Sequence, residues 1–133
     1  MSKIKASVAE IIGKEGVHIV RFDHFGQRLA MISLELPTRV KAGLDVLLSV
    51  KPSSVGIAKG YSGEFSFSNS LSVKIAKLDM GDILCSAKLK MSSGFFIESL
   101  LTAESAKRMK LSVNDEVTAF FKASELSLYK IYP

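Results

Sequence analysis

Apolar and polar residues alternate with period two along most of the chain, and Gly, Ser, Asn or Lys breaks the rhythm every eight to twelve residues. Val17–Phe22 sets Val17, Ile19 and Arg21 against His18, Val20 and Phe22, the two faces of a strand. Ile4, Val8 and Ile11 mark a strand before it, and Leu29–Leu34, Val46–Val50 and Val55–Ala58 are short apolar runs after it. The second half repeats the pattern in Leu71–Leu78, Ile83–Leu89, Phe95–Leu101, Val117–Phe121 and Leu126–Tyr132. Many short strands at even spacing predict an all-β sandwich or barrel. Only Thr102–Lys110 reads as helix, with Thr102 as N-cap, good formers in Ala103, Glu104, Ala106 and Lys107, and basic residues in the last turn.

The chain also repeats itself. Lys51-Pro-Ser-Ser-Val-Gly-Ile-Ala-Lys59 matches Lys122-Ala-Ser-Glu-Leu-Ser-Leu-Tyr-Lys130 at an offset of 71, which also sets Val46 on Val117. Gly16, Ile32 and Leu36 meet Gly81, Ile97 and Leu101 at an offset of 65, and the first strand phases best at 67. These offsets imply a first hairpin longer by two residues around Ile12–Glu15, and six extra residues in repeat two at the helix. The same alignment puts Cys85 on Val20. The expected organisation is a first five-stranded module over residues 1–60, a Gly- and Ser-rich joining and opening segment over 61–70, and a second module over 71–133. Five short strands per module of about sixty residues suggest two tandem OB-like barrels, with one short helix in the second.

The 133 residues are enough for a real core, and 47% hydrophobic against 23% charged describes a globular chain. No apolar run approaches membrane-span length, and MSKIKASVAE lacks the apolar block of a secretory signal, so a cytoplasmic protein without membrane contact is expected. One cysteine, Cys85, allows no internal disulfide. The net charge of +5 is spread thinly, with nine Lys/Arg and five Asp/Glu in residues 1–60 and nine and eight in 61–133. A nucleic-acid binder concentrates such charge in a stripe, interleaved with aromatic rings where the target is single-stranded. The charge therefore suggests attraction for anions without naming one.

The second module resembles a Mop domain, the molybdate-binding unit of the wider TOBE group. The Ser-Ala-Arg-Asn-x-Leu opening of that family is matched by Ser66-Phe-Ser68-Asn69-Ser-Leu71, with Ser68 in place of the arginine. The alternating strand and turn glycine are matched by Ile75, Leu78 and Gly81, the Thr-x-x-Ser element by Thr102-Ala-Glu-Ser105, and the closing Lys-Ala-Ser strand by Lys122-Ala-Ser124. The first module keeps the ending as Lys51-Pro-Ser53-Ser54 and lacks Thr-x-x-Ser. The resemblance implies tandem Mop-like barrels that bind molybdate or tungstate, with sites between modules of neighbouring chains and hence a homo-oligomer, a trimer before a dimer. Molybdopterin is the lesser ligand candidate, since no residue pattern argues for a pterin pocket.

The residue types fit that chemistry. A tetrahedral dianion needs hydroxyl and backbone N–H donors with one or two cations. Thr102 and Ser105 offer hydroxyls at a helix start; Lys51 and Lys122 offer charge beside Ser53, Ser54 and Ser124; Ser66, Ser68 and Asn69 form the opening element. Each has a plainer reading, as helix cap, solvated lysine or loop serine. His18 and His24 lack a third metal ligand, Cys85 fits a buried small position, and Asp79 and Asp82 flank a turn glycine. No nucleophile triad, Walker loop or dinucleotide loop is present, so a binding protein is expected rather than an enzyme. The competing reading is a basic OB-type binder of single-stranded nucleic acid.

Overall fold

The computed structural model describes residues 2–132. In chain order its strands are β1 (Ser2–Lys14), β2 (Val17–His24), β3 (Gln27–Ser33), β4 (Asp45–Val50), β5 (Gly56–Ala58), β6 (Asn69–Met80), β7 (Leu84–Met91), β8 (Phe96–Thr102), β9 (Glu116–Phe121) and β10 (Ser127–Ile131). Helix α1 (Ala103–Arg108) follows β8, and single 3₁₀ turns cover Pro52–Ser54 and Ala123–Glu125. The strands build two five-stranded antiparallel sheets, each curled as an OB-like barrel around one side of the core. The alternation read from the sequence decides what faces inward. Ile4, Val20, Phe22, Leu29 and Leu48 fill one barrel; Leu71, Ile75, Leu89, Ile97 and Phe121 fill the other, all essentially inaccessible. Each such side chain contributes about 1.5–3 kcal/mol on burial.

The sheets exchange their last strands. The first runs β10-β4-β1-β2-β3 and the second β5-β9-β6-β7-β8, so β5 leaves its own half to pair with β9, and β10 returns to pair with β4. Gly56 is required in β5 because a Cβ there would lie 2.5 Å from Cζ of Phe120 on β9. Neither half therefore owns a complete sheet.

The pairing also corrects the repeat alignment. Val8 pairs with Phe22 and Ile75 with Leu89, and both long strands bulge one residue later, at Val8/Glu10 and Ile75/Lys77. The offset of 67 read for β1 thus holds for β2 as well, in place of 65, and the two hairpins are equally long, since Lys14 faces Val17 as Gly81 bonds Leu84. Gly16 and Gly81 are not equivalent. Gly16 has φ +80 in a turn with Glu15 at φ 54, whereas Gly81 stands before its turn and has no such φ. By the same register Cys85 corresponds to His18, not Val20, though it is fully buried as expected. One extra residue sits in the β7–β8 turn and only three, not six, accompany α1; Val40 and Leu111 occupy matching buried positions around it.

Matched contacts fasten the halves together. The Asn69 side chain donates to Ala30 O at 2.9 Å and accepts from Ala30 N at 2.7 Å; at the equivalent place Ser2 Oγ accepts from Glu98 N at 2.8 Å. Ser99 Oγ donates to Val55 O at 2.6 Å. At the far end His24, nearly inaccessible, lies between Phe25 and Phe95, with Nε2 2.7 Å from Ser93 Oγ and Nδ1 on the Lys5 carbonyl. A carbonyl only accepts, so Nδ1 carries a proton directed at Lys5.

Lys59, just past β5, donates to the carbonyls of Met109 and Lys110 at 3.1 and 2.9 Å and pairs with Asp115 at 3.2 Å. A cation from the first half thus closes the C-terminal end of the helix in the second. Lys59→Ala is expected to lower stability by about 1 kcal/mol, some 4 °C in Tm for a chain this size, checked by calorimetry. The Ser112 N–H, and after it Lys59, hold the Asp115 carboxyl below its ordinary value of 3.8. A depressed carboxylate stabilises fully above that value, and its contribution disappears as pH falls through the lowered one. Asp115→Asn should therefore flatten the acid limb of the stability profile and leave the neutral limb parallel to that of the parent.

Candidate functional site

The two Lys-x-Ser segments fold alike because each turns the chain from a strand of its own sheet, β4 or β9, into the exchanged strand, β5 or β10. Lys51 (φ −75°, ψ 140°) and Lys122 (φ −74°, ψ 152°) are extended residues leading into 3₁₀ turns, closed by Ser54 N on Lys51 O at 2.9 Å and Glu125 N on Lys122 O at 3.0 Å. Strand exchange then brings the turns face to face. Ser54 Oγ donates to Glu125 Oε2 at 3.0 Å, a contact between equivalent positions of the two repeats. Lys51, Ser53, Lys122 and Ser124 are exposed around this contact. The two turns thus meet through one serine and one carboxylate, and each carries an exposed lysine and an exposed serine.

The opening element joins them through aromatic packing. Phe65 and Phe67 stack at 5.8 Å and both meet Phe120 edge-on, while Ser66 and Ser68 alternate outward. Lys122 Nζ lies 5.4 Å from the centre of the Phe67 ring, which sets Lys122 beside this serine-bearing segment. Asn69 is different: it is fully buried with both amide atoms engaged on Ala30, and it acts on the site by fixing Ser68 against β3.

Thr102 and Ser105 stand apart. Thr102 Oγ1 accepts from Ser105 N at 3.1 Å and donates to Ser105 Oγ at 2.8 Å, and Arg108 Nη2 donates to Ser105 Oγ at 3.2 Å. This is a helix cap in which the Thr102 hydroxyl both donates and accepts, and among the described residues no hydrogen bond links it to the lysine turns. The Thr102 hydroxyl could donate to an anion only by leaving Ser105 Oγ. Asp79 pairs with Lys77 at 3.7 Å on the surface. Cys85 is fully buried, and desolvation, with Asp79 adding to it, pushes its thiol above the ordinary range.

Ser124 also borders an open groove of about 840 Å³ with Ser33, Arg39, Ser127 and Lys130, between β3 and β10, the two free edges of the first sheet. Glu125 and the arginines of β2 and β3 were not among the residues singled out from the sequence. Glu125 had a signal in the repeat itself, since it falls on Ser54.

No family model and no curated protein matches the sequence. Among solved structures, the chain is similar to the cytoplasmic molybdate-binding protein ModG in a crystal form with molybdate bound, with a TM-score of 0.88 and 24% identity. The match spans 95% of this chain and 93% of that one, so the exchanged pair of barrels shares its fold with a protein of closely similar extent.

Proposed function

We propose that this chain is a cytoplasmic oxyanion-binding protein, not an enzyme, that takes molybdate or tungstate for storage, buffering or delivery. The observation that carries this reading is the fold shared over nearly all of both chains with molybdate-binding ModG. The paired Lys-x-Ser turns support it with chemistry of the right kind. Lys51 and Lys122 supply charge, Ser53, Ser66, Ser68 and Ser124 supply hydroxyls, and Ser54 is released to the anion if it leaves Glu125. Charge-assisted hydrogen bonds contribute roughly 1.5–3 kcal/mol each, so four or five reach micromolar affinity or better.

Self-association belongs to the same reading. Ile12, Ile19 and Ile32 are cross-strand neighbours on the outer face of the first sheet, and they are 44%, 37% and 43% exposed. Their equivalents in the second half are Asp79, Ser86 and Leu100. An apolar row present on one half alone suits a contact between copies, with trimer preferred to dimer. The competing reading, single-stranded nucleic-acid binding, draws on the Phe65–Phe67 stack beside Lys122.

Native mass spectrometry with molybdate, tungstate or an oligonucleotide tests all three points. Discrete oligomers carrying a fixed number of molybdate or tungstate ions are expected. A monomer that takes oligonucleotide, with affinity falling steeply as salt rises, would replace this reading with the other.

A further inference from the structure

Val20, Phe22, Leu29 and Met31 fill the first barrel, so the alternate residues Ile19 and Arg21 of β2 and Arg28, Ala30 and Ile32 of β3 point outward. Ser68 and Ala123 of the second half close over this face and leave a cavity of about 340 Å³. Its roof is held firmly, because Asn69, next to Ser68, grips both backbone atoms of Ala30. Arg21 is partly compensated by Glu10, 3.0 Å away. Arg28 has no ion pair among the described residues: Asp23 lies opposite it in register, but that carboxylate is turned to Gly26 N at 3.4 Å.

We propose that Arg28, assisted by Arg21, joins Lys122 as a cation that holds the oxyanion, in this pocket at the seam of the two halves, with the Ser68 hydroxyl as a further donor. The proposal rests on the oxyanion reading above and adds a guanidinium to the lysines named there. A guanidinium presents paired N–H groups to two oxygens of one anion, which a lysine cannot do. The outward side chains of Ile19 and Ile32 flank that contact. The matching face of the second half has Lys88, Phe96 and Glu98 where the first has Arg21, Arg28 and Ala30, and Lys88 Nζ lies 4.3 Å above the Phe96 ring. A carboxylate there opposes an anion, so each chain holds one such pocket.

Calorimetric titration of the full-length protein with molybdate, tungstate, sulfate and phosphate tests this. Arg28→Ala is expected to weaken binding at least tenfold with an unchanged melting curve, whereas Lys14→Ala, which removes a like charge at the β1–β2 hairpin tip, should change it less than twofold. Adding Ser68→Arg to Arg28→Ala should restore most of the affinity, because it returns a guanidinium to the same cavity from the opposite wall. If the parent binds molybdate and Arg28→Ala binds it equally, the pocket is misplaced while the oxyanion reading stands. If only sulfate or phosphate binds, and Arg28→Ala abolishes it, the pocket stands and the molybdate reading falls. If none of the four anions binds, both fall.

Discussion

Residues 1–60 and 61–133, expressed as separate chains, are expected to fail as stable monomers and to form a folded one-to-one complex when mixed. Each fragment carries the strand that completes the other's sheet. The first fragment cannot repair itself, since the three residues of β5 are too few to replace the five of β10 along β4. A sixty-residue domain hides only about 60% of its unfolded surface at best, so the loss of an edge strand is not tolerated. The intact chain should accordingly unfold in one transition although it contains two barrels. Circular dichroism with sedimentation of the fragments, alone and mixed, measures this. Two fragments that each melt cooperatively as monomers would show that strand exchange contributes little to stability.

Period-two alternation made the strands legible almost residue by residue. Burial of every second side chain is a local constraint, and Val20, Phe22 and His24 obey it as plainly as Ile97 does. Which strand pairs with which is not local. β5 and β10 follow near-identical Lys-x-Ser turns, and nothing in Gly56–Ala58 states that its partner is β9 and not β4. Glycines misled the repeat alignment for a similar reason: Gly16 is needed for a left-handed turn, while Gly81 is not, so equal letters stood for different backbones. The bulges at Val8/Glu10 and Ile75/Lys77 carry the true register, and a bulge has no side-chain signature in these strands.

The candidate site was legible in its parts and not in its assembly. Lys51 and Lys122 were visible as a repeated pair, and exchange of the strands behind them is what brings their turns into contact through Ser54 and Glu125. Asn69, read as a ligand donor, is spent on Ala30, because a buried amide must satisfy its own polar atoms first. Arg28 gave no signal, being one more outward residue on a half-exposed strand. Only the closure of Ser68 and Ala123 over it makes a cavity.

Lys122→Ala is expected to weaken molybdate binding by about tenfold to a hundredfold, the loss of one charge-assisted hydrogen bond of roughly 1.5–3 kcal/mol to a partly desolvated anion. Lys122 precedes Ala123, which roofs the cationic cavity, and its ammonium lies over Phe67 beside Ser68, so it is the lysine nearest in sequence and packing to that pocket. Lys51→Ala separates two arrangements. Its turn touches that of Lys122 through Ser54 and Glu125, but the matching face of the second half carries Glu98. A loss equal to that of Lys122→Ala means one anion is shared at the junction of the turns. A loss below threefold means that the second Lys-x-Ser turn works alone. Thr102→Ala should cost about 1 kcal/mol of stability as a lost helix cap whichever arrangement holds. If Thr102→Ala weakens molybdate tenfold or more while Lys122→Ala does not, the helix start and not the lysine turn holds the anion. Calorimetry on the three variants against the parent, at one fixed ionic strength, decides among these outcomes.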